Sequence, residues 1–231
     1  MEPLVFDSLR QQLAEKIGPG IGIACRGVNG DPGTLWPVER AAVLKAVPRR
    51  QREFAAGRAA AREAIERIGW PAEAIPSAPD RSPVWPNGLT GSIAHTSHVC
   101  VAIAGRRDQV YSMGIDIEED IPLDRDLWET ICTPGELVSM ALLPPSEHGR
   151  RVTRLFCAKE AFYKWQYPQT KNMLNFCDVQ VTLCPTGFRV HPAATRDSPF
   201  FFCEQAGRVL TCYGLVLAWL IGRPVSQTRV E

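Results

Sequence analysis

No stretch of this 231-residue chain approaches the roughly 18 consecutive apolar residues that read as a membrane-spanning helix. The strongest candidate, Leu210 to Ile221, is too short and contains Thr211, Tyr213 and Gly214, so it reads as a buried strand. The opening residues, Met1-Glu2-Pro3-Leu4-Val5-Phe6-Asp7, lack the basic and apolar regions of a secretion signal. Eight cysteines are present, but none forms a C-x-x-C pair and no histidines cluster with them, which argues against a structural zinc site. They read as scattered reduced thiols at apolar positions. Charge of one sign is also scarce: 26 Lys+Arg against 25 Asp+Glu leave a net charge of +1. Without a global basic field, nonspecific nucleic-acid binding is not indicated, and any anion site must be built locally. The expectation is a cytoplasmic protein with no membrane and no nucleic-acid partner.

What is present is an ordinary globular composition, 45% hydrophobic and 22% charged, long enough to bury a sizeable core. Leu4, Phe6, Leu9 and Leu13 give residues 3–16 helical spacing, and Ile21–Cys25 reads as a strand. Pro48 suits the first turn of a long helix over 48–68, which Gly69 and Pro71 end. A proline-rich loop runs from Pro71 to Asn87. Strand-like runs follow at 91–95, 99–104 and 110–118, the last two joined by a hairpin turn through Gly105-Arg106-Arg107-Asp108. The second half repeats the order: helices at about 125–142 and 146–166, with Thr133 and Glu136 as a capping box, then strands at 177–183, 187–191, 199–204 and 208–221. Helix followed by strands, twice, implies an α+β protein of two similar lobes, 1–120 and 121–231, although no sequence self-similarity accompanies it.

Two short clusters carry the chemistry. In Gly114-Ile115-Asp116-Ile117-Glu118, the carboxylates of Asp116 and Glu118 are two apart on a strand and leave the same face. Neighbouring carboxylates repel unless a cation lies between them, and magnesium favours such hard oxygens. Alone, the pair reads rather more readily as a solvated strand end, with Glu119 and Asp120 continuing an acidic run. In Phe156-Cys157-Ala158-Lys159-Glu160-Ala161-Phe162-Tyr163-Lys164, Glu160 and Lys164 are four apart and share a helix face. Their apolar neighbours mark that helix as mostly buried, and charges seldom go inside without a partner or a task. Two further segments offer phosphate contacts. One is the arginine-rich helix with Arg50, Arg58 and Arg62, and the other is Gly91-Ser92-Ile93-Ala94-His95, where Ser92 and His95 can grip a phosphate oxygen. The same residues would serve a metal-dependent phosphohydrolase using water, or a non-catalytic module that docks partners through its arginine helix.

Taken together, the motifs resemble the 4′-phosphopantetheinyl transferases, in the larger, siderophore-synthetase-activating branch. The pieces are Arg50-x-x-Glu53-Phe54-x-x-Gly57-Arg58-x-x-x-Arg62, Pro83-Val84-Trp85-Pro86, Gly91-Ser92-Ile93-x-His95, and the two acidic clusters, in family order across about residues 48–168. The resemblance implies two α+β lobes in pseudo-twofold relation with the active site between them. It also implies transfer of the phosphopantetheine arm of coenzyme A to a serine of an apo acyl or peptidyl carrier, releasing adenosine 3′,5′-bisphosphate. By position, Asp116, Glu118 and Glu160 would hold Mg²⁺, and Glu160 or a held water would take the serine proton. Lys164 would neutralise the leaving phosphate, His95 would meet the coenzyme phosphates, and Arg50 with Arg58 would meet the 3′-phosphate. Lys159 would border the phosphates, and Arg81 stands where some relatives carry a loop lysine. Many relatives have a hydroxyl residue where this chain has Ala94. Both lobes being in one chain, a monomer is expected.

Overall fold

The computed structural model describes residues 3–193 and 204–223. Helix α1 (Pro3–Ile17) leads into strand β1 (Ile21–Gly27), and short α2 (Pro37–Arg40) precedes long α3 (Pro48–Glu66). Strands β2 (Leu89–His95), β3 (Val99–Arg106) and β4 (Ser112–Glu119) follow the proline-rich loop. The second half holds α4 (Trp128–Ile131), α5 (Pro134–Met140) and α6 (Pro145–Thr170), then β5 (Val179–Cys184), β6 (Gly187–Pro192), β7 (Gln205–Cys212) and β8 (Leu215–Gly222). The fold is α+β, as expected. Among the described residues no helix is long and apolar enough to cross a membrane.

The strands form two antiparallel sheets, β1-β3-β2 and β4-β8-β7-β6-β5. Alternation assigns each sheet two faces. On one face of the small sheet, Ala24, Cys100, Ala102 and Ala104 pack on the alanine-rich side of α3, where Ala60, Ala61 and Ala64 are fully buried. On one face of the large sheet, Val216, Ala218 and Leu220 pack on α6 through Ala158, Ala161 and Phe162. The remaining faces share a single cluster: Leu9 and Leu13 of α1 meet Val101 and Ile103 from one sheet and Ile115, Ile117, Leu217 and Trp219 from the other. The sheets also meet along β2 and β4, where the Ser92 hydroxyl accepts a hydrogen bond from the Ile115 amide (3.1 Å) and donates to the Ile115 carbonyl (3.5 Å).

Three differences from the sequence reading have local causes. The helix expected over 125–142 is broken: Cys132 is extended, Thr133 caps α5, and Pro134 opens it, because a proline ring cannot lie inside a continuing helix. The strand expected over 208–221 is the hairpin β7–β8, turned by Tyr213 (φ 52°) and Gly214 (φ 72°), the two left-handed residues that a tight hairpin turn demands. The turn after β3 does not make a hairpin with β4. Residues 107–111 carry the chain from the small sheet to the large one, so β4 belongs with β8 and the division at residue 120 does not separate the sheets. Residues 199–203 of the expected strand 199–204 lie outside the described residues.

One glycine sets the distance between β4 and α6. A Cβ on Gly114 would stand 2.0 Å from the Ala161 carbonyl oxygen and 2.6 Å from the Trp165 amide nitrogen. Gly114, Asp116 and Glu118 share one face of β4, so this close approach brings α6 directly onto both carboxylates. Gly114→Ala is expected to lower unfolding free energy by about 1–3 kcal/mol, the usual range for overpacking. Urea denaturation at unchanged m-value checks it.

Candidate active site

Asp116 and Glu118 leave the end of β4 toward α6, and Glu160 and Lys164, one helical turn apart, come down to meet them. Lys164 Nζ donates to Asp116 Oδ1 at 2.6 Å. Burial lowers the Lys164 ammonium, but Asp116 and then Glu160 more than offset it, so the group ends above its ordinary value and stays charged. Three carboxylates around one ammonium leave an excess of negative charge. Glu118 shows the strain: burial first, and the Asp116 charge second, raise its carboxyl from 4.5 to about 7. Glu160 is also raised, by burial against the pull of Lys164. Asp116 Oδ2 is buried without a hydrogen-bond partner.

Beside this cluster lies a cavity of about 630 Å³, bounded by α3, the 78–85 loop, the end of β2 and the C-terminal half of α6. Arg50, Arg58, Arg81, Arg107, Lys164 and Lys171 reach its wall. Two acids also line it, and both are occupied: Glu53 pairs with Arg49 (2.8 Å) and Arg50 (3.6 Å), and Asp80 is described below. Arg50 Nη1 donates to His95 Nε2 (3.1 Å), while His95 Nδ1 faces the Thr96 carbonyl (3.1 Å). Those two contacts place the imidazole proton on Nδ1. Arg58 is only 6% exposed; it lies over the Phe54 ring (4.2 Å), donates to Ser77 Oγ (3.0 Å) and keeps a buried Nε without a partner. Burial, followed by smaller effects of neighbouring charges, brings its guanidinium down to about 10. Arg81 takes a left-handed backbone (φ 67°) at the cavity rim, an unfavourable conformation for a side chain of this size. Lys164 belongs to both regions, so the basic cavity and the acidic cluster meet at its ammonium. Glu160 lines an adjoining cavity of about 450 Å³ with Phe162, Tyr163, Leu174 and Phe176.

Several cavity residues escaped the sequence reading. Asp80 Oδ1 accepts from the amide (3.0 Å) and hydroxyl (2.6 Å) of Ser82, and its Oδ2 from Tyr167 (2.9 Å) and Lys171 (3.2 Å). The Ser82 bonds and the Tyr167 bond hold the Asp80 carboxyl far below its ordinary range. This carboxylate thus ties the loop bearing Arg81 to the end of α6. A signal was present: Lys164, Tyr167 and Lys171 are spaced by three and four, the spacing of one helix face.

Two expected phosphate ligands are placed elsewhere. Lys159 is 2% exposed, and its three donors are spent on Glu136 Oε2 (2.7 Å) and the carbonyls of Ile131 (2.7 Å) and Phe176 (2.9 Å). An ammonium has no fourth donor for a phosphate. It points toward α4, α5 and the segment before β5, beside the smaller cavity, and it does not line the basic one. Ser92 is 4% exposed and turned into the β2–β4 seam, away from the side of β2 that carries Ile93 and His95. Alternation along the strand makes the two faces exclusive.

The donor set suits a hard divalent cation: three carboxylates at the cluster, one with an orphaned buried oxygen, one shifted upward by burial and by its neighbour's negative charge. Among the described residues, no three Asp, Glu, His or Cys side chains already stand close enough to enclose an ion. Lys164 occupies Asp116 Oδ1 in their place.

The raised Glu118 gives a pH prediction. Between pH 4.5 and about 7 the folded protein keeps a proton that the unfolded chain has released. Stability is therefore expected to fall as pH rises through this interval and to stay lower above it. Glu118→Gln should match wild type at pH 5 and melt several degrees higher at pH 8, both measured in chelator. Equal melting at both values would contradict it.

Residues 38–105 match the family model described as the 4′-phosphopantetheinyl transferase N-terminal domain, and residues 112–211 match that of the 4′-phosphopantetheinyl transferase superfamily. The chain is 38% identical over 163 residues to the 4′-phosphopantetheinyl transferase PptT of Mycobacterium tuberculosis, covering 69% of this chain and 71% of that one. It is 35% identical over 154 residues to the 4′-phosphopantetheinyl transferase Svp of Streptomyces mobaraensis, covering 65% and 62%. Against enterobactin synthase component D of Escherichia coli K12 it is 33% identical over 150 residues, covering 64% and 68%.

Proposed function

The chain belongs to the 4′-phosphopantetheinyl transferase superfamily, and we propose that it moves the 4′-phosphopantetheine arm of coenzyme A to a serine hydroxyl of an apo acyl or peptidyl carrier. The observation that carries this reading is the junction at Lys164, where a cavity walled by six cations abuts three carboxylates. Coenzyme A carries phosphate at two separated places, and the cavity draws cations from separate elements to receive them: Arg50 and Arg58 on α3, Arg81 on the 78–85 loop and Lys164 on α6. Arg50 and His95 touch one another and so act on one phosphate together.

In the transfer, the serine oxygen attacks the phosphorus bearing pantetheine, and the bond to the bridging oxygen breaks, releasing adenosine 3′,5′-bisphosphate. Glu160, half-buried with its carboxyl raised toward neutrality, receives the serine proton. Lys164, held charged by Asp116, stands at the boundary where negative charge develops on the departing bisphosphate. Asp116, Glu118 and Glu160 would hold Mg²⁺, which when bound supplies positive charge to the diphosphate oxygens. The adjoining cavity of about 450 Å³, largely aromatic and aliphatic and bordered by Glu160, would take the pantetheine chain.

The test is chromatographic measurement of adenosine 3′,5′-bisphosphate with and without an apo carrier domain. Release that depends on the carrier supports transfer. Release at the same rate without it identifies water as the acceptor, and the reading becomes a phosphohydrolase.

A further inference from the structure

We propose that the cavity between the end of α1, the first half of α6 and the β5–β6 turn is a second anion site, taking a small molecule that bears two phosphate groups. This cavity, about 590 Å³, shares no lining residue with the basic cavity described above. Lys16, Arg151, Arg154 and Arg208 line it, and no described Asp or Glu does. No side chain of the four makes an ion pair or hydrogen bond with a described residue, whereas most of the described arginine side chains do. Arg154 Nε is buried and unpartnered. Arg151 and Arg154 are one turn apart on α6, and the Arg151 guanidinium is lowered by burial and then by its neighbour's charge. Like charges so placed disfavour one another's charged form, and an anion within a few ångströms favours it.

The sheet adds a backbone donor. Pairing of β6 with β7 stops at Gly187↔Arg208, and beyond it the Val209 amide bonds only to the Thr186 carbonyl (3.3 Å). Thr211 follows two residues later, so its amide faces the same opened edge, which no strand covers. Charge counting sets the ligand class. A phosphate group carries about −1.5 to −2 at neutral pH, so two such groups balance four cations. Arginine forks prefer the planar, bidentate contact that phosphate oxygens offer. The volume also exceeds what one phosphate ion fills.

Calorimetric titration with inorganic pyrophosphate tests this, comparing wild type, Arg151→Ala/Arg154→Ala, and Arg50→Ala. Pyrophosphate is expected to show a binding component that the Arg151/Arg154 variant weakens at least tenfold and that Arg50→Ala, which impairs the other cavity, leaves in place. Inorganic phosphate should bind this component at least tenfold more weakly. Circular dichroism checks that the double variant is folded, and the exposed pair Lys16→Ala/Arg208→Ala gives an independent reduction. No binding in wild type at millimolar pyrophosphate overturns the proposal, as does binding that both double variants leave unchanged. Capture of an acidic polypeptide such as polyglutamate, with no response to pyrophosphate, also overturns it, in favour of a protein partner.

Discussion

Lys164→Ala is expected to lower kcat by about two to three orders of magnitude, the cost of removing one preorganised charge from a developing oxyanion. The KM for coenzyme A should change much less, since Arg50, Arg58, Arg81 and Lys171 still line the cavity. The same change strips Asp116 of the partner that lies 2.6 Å away. Asp116 is 5% exposed and already has one orphaned oxygen, so loss of stability should be on the order of 3 kcal/mol, as for broken buried ion pairs. The two effects can be separated. Adding Asp116→Asn to Lys164→Ala removes the uncompensated charge and should restore much of the stability while leaving activity lost. Steady-state kinetics beside urea denaturation of wild type and the two variants checks both. Activity recovering with stability would mean that the pair only supports the fold.

Lys159→Met is the second large expectation, and its signature is the reverse. Lys159 joins α6 to the end of α4 through Ile131, to α5 through Glu136, and to the start of β5 through Phe176. Glu136 is itself buried, accepting from the amides of Thr133 (2.8 Å) and Val181 (2.6 Å). Without the ammonium, a buried carboxylate and two carbonyls lose their donor together. The expected loss is about 3–5 kcal/mol, read from thermal or urea unfolding. Any of the variant that folds should keep its KM for coenzyme A, which a phosphate ligand could not. Phe176 and Glu160 share the adjoining cavity, so reduced kcat in the folded fraction would trace to that displaced wall.

These two lysines show where the sequence was readable and where it was not. Lys164 is four residues from Glu160, and helical periodicity alone places them together. That this pair meets Asp116 and Glu118 followed only from the family resemblance; in the structure, strand alternation and Gly114, which removes the one side chain that would hold the helix away, bring it about. Lys159 is only five residues from Lys164, yet those five residues turn it to the far side of α6. Its partners Ile131, Glu136 and Phe176 are distant in sequence, and nothing in their spacing announces a shared ammonium. Ser92 was misplaced for a similar reason: its partner, Ile115, belongs to a second sheet whose edge the sequence does not reveal. The β7–β8 turn was present in the letters, as Tyr213-Gly214, but the apolar residues on both sides of it read as one strand. The Asp80 clasp depends on a loop meeting the end of α6: helical spacing groups Tyr167 with Lys171, but nothing in the letters brings Asp80 to them.

The most direct measurement is the intact mass of an apo carrier domain after incubation with this protein, coenzyme A and Mg²⁺. Wild type should add one phosphopantetheine arm per carrier, at the carrier's serine, and a serine-to-alanine carrier should gain nothing. Asp116→Ala should abolish the addition on the same timescale. A carrier that stays at its apo mass while coenzyme A is consumed, or one modified equally well by Asp116→Ala, would contradict transfer at this site.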